Sequence, residues 1–250
     1  YYNPANGGGH MLTIVPELDV GEPINIIVSG RSSRSVLTPV GFLLWATSIN
    51  YGVSCLGSSD IGTVQSANLG DGFGPRPQGS DGEGINGVLR YNYGSPYFGT
   101  CKETFDGGSH MRWFIQNGSD ADSSAIFLAA STELPLAYGH DIAQNGYNIG
   151  RDEIVGNATN PEGTSWEGNT YNTTVIWVPA GLLLNATSDG VNHPNVALPG
   201  QPAQDGRVAV LTITQLDGSA SQVEIANGAR RTGHAGVALL FTLLAAGLLL

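Results

Sequence analysis

The stretch Pro23-Ile24-Asn25-Ile26-Ile27-Val28-Ser29-Gly30 carries the clearest strand signal in this 250-residue chain. It is a mostly apolar run with proline on one side and Ser-Gly on the other, and such residues are common at the two ends of a strand. The sequence therefore predicts a buried strand over residues 24–28.

A helix signal follows this strand. Thr38 and Pro39 suit the N-cap and the first position of a helix. After them, apolar residues recur at the i, i+3, i+4 and i+7 spacing of one helical face, namely Phe42, Trp45, Ala46 and Ile49. The pattern predicts a helix over residues 39–49 that packs against the strand.

Farther along the chain, the patterns predict mainly strands. Short alternating or apolar runs, separated by Gly-containing turns, occur at 88–93, 99–104, 110–116, 125–131, 171–178 and 208–215. Consecutive strands joined by short turns pair antiparallel. Residues 151–155 suggest a short helix. Residues 57–87 are rich in Gly, Ser and Asp and show neither the two-residue period of a strand nor the 3.6-residue period of a helix, so they predict a long mobile loop.

The chain has two cysteines, Cys55 and Cys101. An oxidising compartment would join them in a disulfide, and a pair of buried free thiols is the alternative. The predicted fold class is α+β. Residues 1–218 would form a single domain in which a mostly antiparallel sheet carries one main helix, one short helix near Arg151 and one disulfide.

The C-terminal region has the pattern of a lipid-anchor signal. Residues 235–250 form an uncharged, mostly apolar tail, and residues 219–234 supply small residues and a polar spacer. The tail is shorter than the roughly 20 residues of a membrane-spanning helix. We expect a glycosylphosphatidylinositol (GPI) signal that is removed, with Asn227 as the candidate attachment residue. A short permanent membrane anchor and a buried terminal helix are the alternatives.

Other features fit an extracellular location. Four Asn-X-Ser/Thr sequons predict N-glycosylation, at Asn117, Asn157, Asn172 and Asn185. Because the sequence starts at Tyr1 rather than Met, we also expect that an export signal has been removed. These expectations place the protein on the outer face of the plasma membrane or in the cell wall.

Charge limits the classes of partner. The formal net charge is −11, and cleavage after Asn227 would remove Arg230 and Arg231 to give −11 − 2 = −13. Nucleic acid is disfavoured because its binding requires a basic surface. The expected partners are the membrane, through the lipid anchor, and cell-wall polysaccharide.

Two regions contain candidate catalytic residues. His110 alternates with apolar residues in a predicted strand, and a later segment contains His140-Asp141 and Arg151-Asp152. If these segments converge, the two histidines could act as metal ligands or as an acid/base pair, with an aspartate orienting an imidazole.

The alternative is a buried salt-bridge network in which Arg112 or Arg151 pairs with Asp152 or Glu153. The sequence contains no standard spacing of metal ligands and no Gly-X-Ser-X-Gly nucleophile motif. We therefore predict no metal and no cofactor.

A cluster of aromatic residues offers another kind of site. Tyr91, Tyr93, Tyr97 and Phe98 could form a platform on which sugar rings stack, if the rings are coplanar and exposed. Core packing and turn filling are the simpler interpretation.

Several motifs resemble known families. They are residues 21–30, Asn68-Leu69-Gly70-Asp71-Gly72, Thr100-Cys101-Lys102-Glu103-Thr104, and residues 140–152 with His140-Asp141 and Asn145-Gly146-Tyr147. Over residues 1–216 the chain resembles a family of secreted proteins from mushroom-forming fungi that has no assigned activity.

The order of residues 23–30, 110–114, 125–131, His140 and Arg151-Asp152 is also similar to the bacterial LssY C-terminal domain. That resemblance implies a fold and a site without naming a reaction. Residues 57–87 and 157–199 depart from it.

Two functions follow as expectations. The first is a GPI-anchored extracellular glycoprotein with a wall-associated, adhesive or binding role. The alternative is a surface hydrolase or metal-binding enzyme centred on His110, His140, Asp141, Arg151 and Asp152.

Overall fold

The computed structural model describes residues 1–52, 55, 64–79, 86–96 and 98–218. Within these ranges the chain forms three α-helices: α1 (Pro39–Ser48), α2 (Gly99–Asp106) and α3 (Gly146–Ala158). The strands of the same ranges are β1 (Leu12–Val15), β2 (Val20–Val28), β3 (Tyr51–Gly52), β4 (Ser66–Ala67), β5 (Arg76–Pro77), β6 (Asn86–Tyr91), β7 (Gly108–Gly118), β8 (Ala121–Glu133), β9 (Thr164–Trp166), β10 (Asn169–Val178) and β11 (Val208–Asp217). The fold is α+β, as predicted.

Strand β2 lies at the centre of the sheet. One edge of β2 pairs with β8, while the other pairs with β1 near its start and with β11 near its end. The sheet continues from β8 through β7 and β6 to β3, and from β1 through β4 to β5. In the described part of the chain the β2–β11 pair is parallel and the other strand pairs are antiparallel. The sheet is therefore mixed, and it curls into a half-barrel.

Helix α1 begins as the sequence predicts. Thr38 Oγ1 accepts a hydrogen bond from the Gly41 amide at 3.0 Å and donates one to the Ser35 carbonyl at 2.8 Å. Phe42 and Trp45 are fully buried, and the Phe42 ring lies 5.1 Å from the ring of Trp113 in β7. Helices α1 and α3 thus cover one face of the sheet.

The opposite face of the sheet has its own apolar cluster. Phe114 of β7 and Phe127 of β8 pack there with Met11 and Leu69 from the N-terminal part of the chain. Both faces of β7 and β8 are therefore covered, which explains why polar residues on these strands are buried.

The predicted disulfide is confirmed. Cys55 and Cys101 are bonded, and their Cα atoms lie 4.8 Å apart. The bond connects the segment after β3 to helix α2.

The strand predicted at 99–104 is wrong, because these residues belong to helix α2. Thr100 and Glu103 are buried at the i, i+3 spacing of a helical face, and Lys102 pairs with Asp106 at i, i+4. Gly99 lies so close to the backbone of Asn92 that a Cβ would be 1.3 Å from its carbonyl oxygen. This close contact helps to place the helix.

Two other predictions need correction. The helix predicted at 151–155 extends over the whole of α3. The loop predicted at 57–87 contains β4 and β5 and, between them, a turn in which buried Asp71 pairs with Arg76 at 2.8 Å. Residues 57–63 and 80–85 of that loop lie outside the described residues, as do the tail 235–250 and Asn227.

Candidate functional site

One end of the second sheet face is lined by charged side chains. Side chains alternate along a strand, so His110 and Arg112 of β7 lie on the face opposite Met111 and Trp113. In the strand register, Arg90 of β6 and Ser131 of β8 lie directly beside His110, one on each side. The pairing of β6, β7 and β8 therefore places these polar residues in one row.

Seven charged or titratable residues meet at this end of the sheet, and we call them the charged cluster: Glu22, Arg90, Glu103, His110, Arg112, Glu133 and His140.

Glu133 joins the two histidines. Its Oε1 lies 3.3 Å from Nδ1 of His110, and its Oε2 lies 2.6 Å from Nδ1 of His140. His140 has a backbone φ of +57°, in the left-handed region that non-glycine residues rarely adopt. Its Nε2 contacts the carbonyl oxygen of Thr104 in α2. Because a carbonyl only accepts, Nε2 carries the hydrogen and Nδ1 faces Glu133.

Helix α2 adds a second carboxylate to the cluster. Nη1 of Arg90 donates to Oε2 of Glu103 at 2.9 Å and to Oε2 of Glu133 at 3.0 Å. Glu103 is completely buried, and among the described residues Oε1 of Glu103 has no hydrogen-bond partner. One guanidinium therefore holds two carboxylates side by side.

The third carboxylate comes from β2. Glu22 lies 3.5 Å from Nε of Arg112 and 3.8 Å from Nε2 of His110, and it accepts a hydrogen bond from Gln65 at 3.0 Å. Burial alone would raise the pKa of Glu22, but Arg112, His110 and Gln65 outweigh it and lower the pKa to about 2. Glu22 is therefore ionised at neutral pH.

The environment shifts the pKa values of the other titratable groups in different directions. Burial opposes the protonated form of His110, but Glu133 and Glu22 outweigh it and raise the pKa of His110. Burial likewise opposes the ionised form of Glu133, yet His110, Arg90 and His140 lower its pKa. In Glu103, burial dominates over Arg90 and the pKa is raised. Adjacent carboxyl groups with opposite pKa shifts are the arrangement that acid/base sites use.

The predicted site residues separate into two groups. His110 and His140 both contact Glu133, and His110 is buried. Asp141 instead lies 2.5 Å from Nδ1 of His193.

Arg151 pairs with other residues. It donates to both oxygens of Asp205, at 2.5 and 3.0 Å, and its guanidinium lies over the Trp177 ring. It also pairs with Asp152 at 2.8 Å. This ion pair agrees with the alternative interpretation for Arg151. Helix α3 therefore directs Arg151 to the β10–β11 side of the molecule, while His110 and His140 contact Glu133.

Sequence reasoning missed Glu22, Arg90, Glu103 and Glu133. Glu103 lies in the segment predicted as a strand, so its helical position beside Arg90 was not foreseen. Glu133 could have been found from the sequence, because it follows Ser131 by two residues in β8 and the two side chains therefore lie on the same face of the strand.

The aromatic platform is not formed by Tyr91 and Tyr93. Their ring centroids lie 4.8 Å apart, but the ring planes are inclined by 71°, which is an edge contact rather than a coplanar surface. Tyr93 also donates a hydrogen bond to the Gly107 carbonyl, at 2.6 Å. Tyr97 lies outside the described residues.

All four sequon asparagines are exposed. They lie on different elements, with Asn117 on β7, Asn157 on α3, Asn172 on β10 and Asn185 before β11. Asn157 also lines a surface groove between the end of α1 and the end of α3, together with Ser48. A glycan on Asn157 would therefore lie beside that groove.

No protein-family model, curated protein or solved structure matches the chain. Among the described residues, no helix combines the length and apolar character needed to span a bilayer.

Proposed function

We propose that this protein is a GPI-anchored extracellular glycoprotein with a binding or structural role at the cell surface or in the cell wall. The observation that carries the proposal is the exposure of all four sequon asparagines. A sequon can carry a glycan in a folded protein only if its asparagine reaches solvent. The uncharged tail at 235–250 and the small residues around Asn227 supply the anchoring part of the proposal.

The charged cluster fits a structural role in this proposal. Glu22, Glu103 and His110 are buried, and ion pairs within the fold link them to Arg112, Arg90 and Glu133. Buried charges need such partners because the loss of hydration is otherwise too costly. The cluster can therefore be explained by the stability of the fold, without a substrate.

Glycosylation is tested by expressing the chain in a eukaryotic secretory host and removing N-glycans enzymatically. We expect the mass to fall by four glycans. Thr174→Ala should remove one glycan, because it destroys the Asn172 sequon and leaves the asparagine in place. Thr212→Ala, which changes the cross-strand neighbour of Thr174 on β11 but no sequon, is the matched control. A protein without N-glycans would contradict this part of the proposal.

The anchor is tested on intact cells with a phospholipase that cleaves GPI. We expect release of the protein into the medium, and secretion without treatment when residues 235–250 are deleted. A mature protein that keeps Leu250 and carries no glycolipid by mass spectrometry would refute the anchor.

A surface hydrolase is the second candidate. The observation that favours it is the meeting of His110 and His140 at one carboxylate, with Glu103 beside them. Such a hydrolase should lose activity in Glu133→Gln and keep it in Asp189→Asn, which changes an exposed carboxylate outside the charged cluster and outside the predicted site residues. Absence of hydrolysis across ester, amide and glycoside substrates, or equal activity in the two variants, would rule this candidate out.

A further inference from the structure

The strongest unexplained feature is the junction of α2, β8 and the loop after β8. Glu103, Glu133 and His140 each place one ligand atom there, and these three atoms lie within 4.8 Å of one another. Two carboxylate oxygens and one imidazole nitrogen form a ligand set that suits divalent transition metals. A group of this kind also arises without a metal, so its individual atoms must be considered.

The first observation concerns the carboxylate of Glu103, and in particular its Oε1. The side chain is completely buried, and no donor in the described part of the chain bonds this oxygen. A buried carboxylate oxygen without a partner is costly. The neighbouring oxygen Oε2 is held by Arg90, so the carboxylate is fixed in place with one oxygen still available for a ligand.

The second atom is Nδ1 of His140. Nε2 of the ring donates to the Thr104 carbonyl, and so the lone pair of a neutral ring lies on Nδ1. Metal-bound histidines typically donate their other N–H to a backbone carbonyl or a carboxylate in this way. Nδ1 is 2.6 Å from Oε2 of Glu133. The imidazole nitrogen and the carboxylate oxygen therefore already face each other at the junction.

The charge of the cluster allows a cation. Three carboxyl groups, those of Glu22, Glu103 and Glu133, face two guanidinium groups, those of Arg90 and Arg112, so the carboxyl groups outnumber the guanidinium groups. The junction is also reachable, because the side chains of Glu133 and His140 are 11% and 19% exposed.

We propose that Glu103, Glu133 and His140 bind a divalent transition-metal ion of the Zn²⁺ type. Arg90 and the Thr104 carbonyl orient the ligands without coordinating the ion. Mg²⁺ and Ca²⁺ should bind much more weakly, because they prefer sets made of oxygen alone. The proposal depends neither on the lipid anchor nor on hydrolase activity.

The test uses the full chain from a secretory host, prepared without a histidine tag, stripped with a chelator and titrated with Zn²⁺ alone by calorimetry at neutral pH. We expect saturable binding of one ion per chain. Glu103→Gln and His140→Gln should each weaken binding at least about tenfold, since even outer-shell changes typically cost about 10–100-fold. His193→Gln is the matched control, because His193 also pairs with a carboxylate but lies outside the charged cluster.

The result is decisive in each direction. No saturable Zn²⁺ binding, unchanged binding in both ligand variants, or equal loss in His193→Gln would overturn the proposal. If either ligand variant fails to fold, nitrogen NMR of the imidazole rings in the wild-type protein takes the place of the measurement on that variant. Zn²⁺ should shift the His140 Nδ1 resonance to the range of a metal-bound nitrogen. A His140 ring that stays doubly protonated at saturating Zn²⁺ would show that a proton occupies the position instead.

Discussion

Burial and ion pairing shift the pKa of the Glu22 carboxyl group in opposite directions, and the effect of ion pairing is the larger one. The pKa falls from an ordinary value of 4.5 to about 2, because Arg112, His110 and Gln65 all favour the ionised form. A depressed carboxyl pKa stabilises the fold at pH values above the pKa of the unfolded chain. This stabilisation is lost as the pH falls from about 4.5 towards 2.

We predict that Glu22→Gln reduces the pH dependence of stability in this acid range. The wild type should lose about 3 kcal/mol of unfolding free energy through Glu22 between about pH 5 and pH 2. The variant should be less stable at pH 7, where Arg112 and His110 lose their partner, but its acid slope should be shallower. Urea unfolding at several pH values measures both effects. Exposed Glu17→Gln is the control, and equal acid slopes in all three proteins would contradict the prediction.

Asn25 links three elements from within a strand. It lies at the irregularity in the β2–β8 pairing, and its side chain exchanges hydrogen bonds with both the amide and the carbonyl of Ala130, at 3.0 and 2.9 Å. It also donates to the Tyr147 carbonyl in α3 at 2.9 Å. One amide side chain thereby satisfies backbone groups that the strand irregularity would leave unpaired.

We predict that Asn25→Ala destabilises the fold by about 3 kcal/mol, because it leaves buried backbone groups of β8 and α3 without partners. Chemical unfolding measures the change in free energy. Asn6→Ala, at an exposed position, should change it little. A loss below about 1 kcal/mol in Asn25→Ala would mean that other groups form hydrogen bonds with these backbone atoms of β8 and α3.

At the scale of elements, helix α3 packs on β8 through glycine. A Cβ at Gly150 would lie 2.3 to 2.6 Å from backbone atoms of Ser131. Gly156 of the same helix is exposed, and a Cβ there would meet no atom within 4 Å. The two glycines differ in their surroundings but share a helical backbone.

We predict opposite effects for alanine at these two positions. Gly150→Ala should destabilise the protein by about 1–3 kcal/mol or more, because α3 must move away from β8. Gly156→Ala should stabilise it by about 0.5–1 kcal/mol through helix propensity. Thermal and urea unfolding of both variants provide the measurement. The same sign of change in both would show that α3 does not pack closely on β8.

At the scale of the whole molecule, contacts between distant parts of the chain hold the fold together. Strand β2 pairs with β11, and the Ile213 amide donates to Ser32 across 181 residues of sequence. The disulfide closes a loop between residues 46 apart and ties α2 to the segment after β3. Long loops of this kind are entropically costly to close, so a covalent link across one is expected to contribute strongly to stability.

We predict that the Cys55→Ser/Cys101→Ser double variant loses about 4 kcal/mol of unfolding free energy, as the chain-entropy model gives for this loop length. The loss is measured by urea unfolding against the oxidised wild type. Wild-type protein reduced with a phosphine should lose the same amount and serves as the control. A double variant as stable as the oxidised protein would show that native contacts alone keep this loop closed.

The sequence by itself determined the local features. Apolar runs and helix spacing identified β2, α1, β7, β8, β10 and β11, because a strand or helix with one buried face leaves a periodic pattern. The two cysteines could pair only with each other. The alternation around His110 also placed the histidine and Arg112 on one face of β7.

Only the tertiary structure decided which charged residues meet. Glu22, Glu103 and Glu133 come from β2, α2 and β8, and their meeting depends on strand order and on the position of α2. Local periodicity reports whether a side chain faces the core or solvent, but not which distant segment covers it. For the same reason the sequence predicted a strand at 99–104 and gave no sign of the parallel β2–β11 pair. That segment is a helix that packs against β6 and β7, and the C-terminal strand reaches β2 only through long-range pairing.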